Sequence, residues 1–173
     1  YIDLLNEQVK LGKIRYFGCS NWKTERIKEA AEYAKSRDLM GFIANQPWWS
    51  LAEPNMDKVA DKTMVWLGED GFKFHKKTCM TVVPYSSQAR GFFGKLDRYG
   101  LDGIDSSLKE LYLNDGNLRV YRNIKKIARE LGKSVNDIAI AYLLSQPFTV
   151  IPIVGCSTTE QIMESCRASE LIL

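Results

Sequence analysis

The chain has 173 residues, 45% hydrophobic and 26% charged, which suits a single globular domain, residues 1–173, with a core of its own. Its net charge of +3 comes from 24 basic and 21 acidic residues, spread without the basic block or aromatic–basic interleaving of a nucleic-acid binder. No apolar run reaches the ~20 residues of a membrane helix, and four separated cysteines with one histidine form neither a disulfide framework nor a metal-ligand set, so reduced thiols in a cytoplasmic protein are expected.

The elements follow in chain order. Ile2, Leu5 and Val9 lie at helical spacing, so the chain opens inside a helix, as a piece of a longer protein would. Gly12 suits the position just past its C-terminus. Ile14–Cys19 (IRYFGC) reads as a strand ending in Ser20 and Asn21. Thr24 can cap a helix whose Ile27, Ala30, Ala31 and Ala34 share a face. Phe42–Gln46 reads as a second strand, stopped by Pro47 because proline cannot donate a ladder hydrogen bond. Trp48–Leu51 reads as a loop, and residues 57–77 as a poor helix interrupted by Gly68 and Gly71.

Thr81–Tyr85 (TVVPY) reads as the third strand, followed by a polar SSQARG loop. Phe92–Gly116 is broken by four glycines and reads as a long irregular loop holding one short helix near Ser107–Leu113. Val120, Ile124, Ile127, Ala128 and Leu131 mark a helix ended by Gly132, and Ser134 caps another that stops before Pro147. Thr149–Val154 is β-branched apart from Pro152 and reads as a buried strand. Gly155 lets the chain turn sharply or approach a ligand, and Ser157 with Glu160 has the spacing of a capping box for a last helix through Ile162, Met163 and Cys166. A helix N-terminus after a strand favours an anion such as phosphate.

Helix, then four strand–helix units, with an extra helix before the last strand, predicts an α/β fold with a parallel sheet. Ligands of such sheets collect at the strands' C-terminal ends. Four ends are present, at Ser20–Asn21, Gln46, Tyr85–Ser86 and Val154–Gly155, and each carries small or hydrogen-bonding residues.

Taken together, GKIRYFGCSNW, NQPWWSLA, VVPYSSQARGFF and IPIVGCSTTEQIMES resemble, in order and spacing, the fifth to eighth barrel strands of the aldo-keto reductase family. The resemblance implies half of a (β/α)8 TIM-type barrel, with the catalytic N-terminal half absent from this chain. It implies the cofactor-binding half of an NADP-dependent oxidoreductase that reduces aldehydes or ketones by hydride transfer. The family's catalytic groups lie on strands without a counterpart here, so no catalytic residue is assigned and the chain alone is expected to be inactive. By the same resemblance Ser20, Asn21 and Gln46 would hydrogen-bond the nicotinamide carboxamide, and Tyr85 would stack on its ring. Ser86, Gln88 and Arg90 would lie along the pyrophosphate. Gly155 and Ser157 would sit under the adenosine phosphate, with Gln161 and Glu164 on the adenine side. NADP(H) is the expected cofactor. NAD(H) stays open, because Ser157 stands where the family often has a basic residue, and Glu164 is followed by Ser165 rather than asparagine.

Each residue has a plainer alternative. Ser20 and Asn21 can merely cap the next helix, Gln46 can satisfy loop backbone, and Tyr85 can be a core aromatic with a wet hydroxyl. Arg90 can be a solvated charge, and Ser157–Glu160 only a cap. Trp48, Trp49, Phe92 and Phe93 can be core or cleft, and His75 reads as structural. The expected partners are a small carbonyl substrate and either the missing half or a second copy of the chain, since a half-barrel leaves two open strand edges. The alternative function is a non-enzymatic nucleotide-binding or regulatory module on the same fold.

Overall fold

The computed structural model describes residues 1–173. Helix α1 (Ile2–Lys10) leads into β1 (Cys19–Ser20), α2 (Thr24–Ser36) and β2 (Ala44–Gln46). Then come α3 (Glu69–Thr78), β3 (Thr81–Val82), α4 (Phe92–Tyr99), α5 (Ser106–Tyr112), α6 (Asp115–Leu131), α7 (Val135–Leu144) and α8 (Thr159–Arg167). The sheet order is β1-β2-β3, all parallel, with Cys19 opposite Asn45 and Asn45 opposite Val82. The final extended segment adds a fourth parallel rung. Val82 N–H donates to the Thr149 carbonyl, and Ile151 and Ile153 N–H donate to Val82 and Pro84, each at 2.9 Å. Pro152 falls between these two donors, so its missing N–H faces away from β3, where a proline costs no bond of this ladder.

The array is therefore an arc of a parallel β/α barrel. Side-chain parity sends Cys19, Asn45 and Val82 to the helix-covered face, where all three are buried. Ile151 and Ile153 stay 56% and 43% exposed, so apolar surface on the last rung remains open.

The paired strands are shorter than the apolar runs that predicted them. Hydrophobic runs mark burial, whereas a ladder needs a neighbour alongside, and Arg15 and Tyr16 stand exposed before β1 begins. Gly18 is required where it stands. A Cβ there would meet the Ala44 carbonyl oxygen at 2.5 Å, so only glycine lets these two rungs come this close.

Three expectations fail on the helices from α2 to α6. Thr24 does not cap α2 but is its first residue, with Lys23 in the cap position and no side-chain cap bond. The poor helix over 57–77 is instead one 3-10 turn (Met56–Lys58), a strap without helix, and then α3. The strap is claimed by a tertiary contact: Trp48 N–H donates to Val65 and Leu67 N–H to Trp48, at 3.0 and 2.9 Å. The long irregular loop over 92–116 is mostly helical. Phe92, Phe93 and Leu96 form one buried face of α4, Asp105 caps α5 through the Leu108 N–H, and Asn114 caps α6 through the Asn117 N–H. Asp115 and Gly116, at the end of that expected loop, lie in the first turn of α6. Ser134 does cap α7, in a full capping box with Asp137.

Most of the core lies among these helices. Sixteen buried residues, including Trp48, Phe92, Tyr112, Ile124 and Ile138, pack between α4, α5, α6 and α7. A smaller group behind the sheet joins Trp49, Leu67, Val82, Leu143, Phe148 and Val150.

Candidate functional site

All four rungs run in one direction, so their C-terminal ends form a single mouth. On its first side the predicted residues are knitted together. Ser20 stands opposite Gln46 in the ladder, and its Oγ–H donates to the Gln46 carbonyl at 2.9 Å. Asn21 N–H reaches the same carbonyl at 3.4 Å. Asn21 adopts a left-handed backbone (φ 56°), a conformation asparagine tolerates better than most residues. Its Oδ1 accepts the Tyr85 hydroxyl at 2.8 Å and the Val65 N–H at 3.2 Å. Both lone pairs of that oxygen are thereby used, and the Nδ2 donors remain for other work.

Tyr85 stacks on Trp48, with centroids 6.4 Å apart and planes at 30°. Trp48 is 2% exposed and its Nε1–H donates to the buried Tyr112 hydroxyl at 3.1 Å. Burial raises the Tyr85 phenol above its ordinary range, with the Asn21 contact pulling the other way, and burial pushes Tyr112 up to about 12. Both hydroxyls stay protonated at neutral pH. A cavity of about 300 Å³, lined by Gly18, Cys19, Ser20, Ala44, Asn45, Gln46 and Val83, opens beside this cluster.

The loop after β3 forms the middle of the mouth. Ser86, Ala89, Arg90 and Gly91 all have positive φ (52°, 48°, 54° and 78°). Three of these are not glycine, so the turn carries backbone strain of the kind found at ligand clamps. Arg90 is exposed at its apex. Gln88 points elsewhere: its Nε2 donates to Asn136 Oδ1 and Ser165 Oγ, both at 3.3 Å. Ser87 Oγ–H donates to the Ile153 carbonyl, tying the loop to the last rung at 2.6 Å.

The far side is loose and corrects the expected cap. Thr158, not Ser157, is the N-cap of α8, accepting the Gln161 N–H at 3.3 Å. Ser157 lies one residue outside, its N–H held by Gln161 Oε1 at 2.7 Å. Glu160 is therefore not the partner of a capping serine. The displacement arises because Thr158 also has a hydroxyl and lies one residue nearer the helix. Gly155 is exposed and has no positive φ, so no sharp turn needs it, and a Cβ there would meet nothing within 4 Å. Glu164 accepts the Ser134 hydroxyl at 2.8 Å, joining α8 to the α7 cap.

The structure thus brings Ser20, Asn21, Gln46 and Tyr85 into one cluster. Gln88 and Glu164 are drawn into a second network with Ser134, Asn136 and Ser165. Gly155, Ser157 and Gln161 stand at the open rim. Two contributors were not anticipated. The backbone of Val65 comes from a strap without a sequence motif. Asn45 left a readable signal: in FIANQ it must face opposite to Gln46, into the helix-covered side, where a polar group needs a partner. That partner is His75, buried as a structural residue.

A family model described as "Aldo/keto reductase family" matches residues 1–173. A probable voltage-gated potassium channel subunit beta from Oryza sativa subsp. japonica is 29% identical over 99% of this chain and 52% of its own length. An uncharacterized oxidoreductase of Bacillus subtilis is 26% identical over 99% of the chain and 49% of its own length. Among solved structures, an aldo/keto reductase from Klebsiella pneumoniae, in complex with NADP and acetate, superposes with a TM-score of 0.62 at 18% identity, covering 99% of this chain and 48% of that one. The chain spans about half the length of these relatives.

Proposed function

The chain belongs to the aldo/keto reductase family, and on that premise we propose that it supplies the dinucleotide-binding end of an oxidoreductase moving hydride between NADP(H) and a small carbonyl compound. The cluster of Ser20, Asn21, Gln46 and Tyr85 carries the reading. A carboxamide needs donors and acceptors together. Asn21 offers only its Nδ2 donors, because its oxygen is taken by Tyr85 and Val65, and Gln46 can supply an acceptor at the cavity wall. Tyr85, held by Trp48 on one side and Asn21 at its hydroxyl, would take the nicotinamide on its other face. The residues present therefore fit that part of the cofactor. When bound, the nicotinamide would supply the hydride; the chain's part is to grip, orient and shield it.

Ser86 and Arg90, on the strained turn, would follow the pyrophosphate, with Gln88 bracing that turn against α7 and α8. Gly155 and Ser157 would admit the adenosine phosphate, and Gln161 and Glu164 would border the adenine. Ser157 offers a 2′-phosphate no charge, so NADP(H) is proposed on family grounds and NAD(H) remains its competitor. NADP in the Klebsiella relative supports the first.

Titration with NADPH, read by fluorescence of the four tryptophans, tests this directly. Saturable quenching is expected because Trp48 touches Tyr85. No change up to millimolar NADPH would refute the site. Turnover is not expected of this chain alone, and oxidation of NADPH with common aldehydes would refute that part.

We further propose that the array represents the C-terminal half of a barrel completed by the missing half or by a second copy. The exposed Ile151 and Ile153, and Tyr1, Leu4, Leu11 and Tyr16 on the opposite flank, support it. A compact, cooperatively unfolding monomer on gel filtration would count against pairing. A regulatory, non-enzymatic role is the second reading, favoured by the rice relative's name. No helix is long and apolar enough to cross a membrane.

A further inference from the structure

Behind the mouth, on the helix-covered face, lies a buried polar chain that the proposed chemistry does not use. His75, Asn45 and Cys19 are 1%, 2% and 8% exposed. His75 Nδ1 lies 3.0 Å from the Met80 carbonyl oxygen, which can only accept, so Nδ1 carries the proton. Nε2 then holds a lone pair and accepts from Asn45 Nδ2 at 3.1 Å. That fixes the Asn45 amide, whose Oδ1 faces outward along the chain and accepts the Cys19 S–H at 3.6 Å. Each contact along this line pairs one donor with one acceptor, and the line crosses α3, β2 and β1 in turn.

We propose that His75 is a positioning residue of the mouth, which through Asn45 holds the end of β2 that carries Gln46 and makes the shape of that end depend on the protonation of one imidazole. Asn45 and Cys19 each immediately precede a mouth residue, Gln46 and Ser20. Both pairs sit in the same two ladder rows, Cys19 with Asn45 and Ser20 with Gln46. A proton added at Nε2 would set a donor against the Asn45 Nδ2 donor. Relief requires the amide to turn over, so that Oδ1 accepts from Nε2 and Nδ2 faces Cys19 Sγ. The relay then reverses its direction and the strand end shifts with it.

The surroundings hold the ring neutral at ordinary pH. Phe74 and Phe148 pack on it at 5.3 and 5.8 Å, and neither is charged. Of the groups facing it, β1 offers only the Cys19 thiol, which burial pushes up to about 11. β2 offers the uncharged Asn45, and the turn before β3 offers the Met80 carbonyl. The neighbouring charges of α3 itself, Lys73, Lys76 and Lys77, are exposed. Desolvation lowers the His75 pKa, opposed by the Met80 hydrogen bond.

What Gln46 does for a ligand rests on the function proposed above; the coupling of His75 to Gln46 does not. Because this is the chain's one histidine, NMR of the uniformly 15N-labelled chain reads it without ambiguity. Long-range proton–nitrogen spectra should show a protonated Nδ1 and a bare Nε2 at neutral pH. On acidification His75 should titrate below the range of a free histidine, and the backbone amides of Asn45 and Gln46 should move with the same midpoint. An Nε2–H tautomer, or amides of Gln46 that stay still while His75 titrates, would overturn the proposal. Asn45→Asp supplies the second arm. A carboxylate there should move the His75 midpoint from below the free-histidine range to above it, and an unchanged midpoint would also overturn the proposal. Should NADPH fail to bind at every pH, the dinucleotide reading falls while these spectra still decide the relay.

Discussion

The two sides of the mouth are built differently. On the first side, Asn21, Tyr85, Trp48 and Val65 come from three rungs and a strap and lock one another through hydrogen bonds and ring stacking. On the far side, Gly155 and Ser157 stand in the open; Ser157 itself is held only locally at the α8 cap, and the longer ties fall on either side of it, at Ile153, Glu164 and Ser165. A preorganised side can orient a ligand without losing much entropy on binding, whereas an open rim must be ordered by what binds there. The difference follows from cover. The first side is roofed by the 59–67 strap and backed by the sixteen-residue core through Trp48, while the last rung leaves Ile151 and Ile153 exposed.

The contrast can be broken most severely at Trp48. Trp48→Ala removes a buried ring and the partner of the Tyr112 hydroxyl, and should cost ~3–5 kcal/mol in urea-unfolding experiments. A loss under about 1 kcal/mol would mean that the core does not hold the first side.

Asn21→Ala comes next. It deletes two hydrogen bonds and places alanine in a left-handed backbone, for a loss of about 2 kcal/mol. Asn21→Gly should lose less, because glycine carries no left-handed penalty. Equal losses would assign the whole effect to the hydrogen bonds.

Acid tests the support behind that side. His75 is held below its ordinary pKa in the folded chain, chiefly by burial, so the unfolded chain binds its proton first. Its stabilising contribution is complete above about pH 6.5 and is lost as pH falls from there through the lower folded value, with a slope of at most ~1.4 kcal/mol per pH unit. Chemical unfolding between pH 7 and 5 should show this decline, and His75→Phe should flatten that part of the profile.

Gly155→Ala is the smallest change and sharpens the comparison from the far side. With nothing near the new Cβ, stability should move by less than about 0.5 kcal/mol. NADPH affinity, where the proposed phosphate approach is correct, should fall several-fold. A variant that changes stability and leaves affinity alone would reverse the roles assigned to the two sides.

Much of this was readable in residue order. The alternation of apolar runs with helical faces predicted parallel β/α units, and the Gly12, Gly132 and Ser134 boundaries follow from local backbone chemistry that any context respects. The four rung ends, and with them Ser20, Asn21, Gln46 and Tyr85 as neighbours, follow from strand direction alone. Local signals failed where two readings competed within a few residues. Ser157 and Thr158 both offered a cap, and Asp115-Gly116 could be a turn or a helix start.

What the tertiary structure alone decided is which groups spend their hydrogen bonds on each other. The types of residue at the rung ends are a property of the sequence. That Asn21 gives its oxygen to Tyr85 and Val65, that Glu164 is held by Ser134, and that the strap over 59–67 abandons helix to pair with Trp48 are not. Period and capping act over a few residues, and so are written locally. A buried polar group must find its partner wherever the folded chain brings one, and Asn21 finds Tyr85 across a sequence separation of 64.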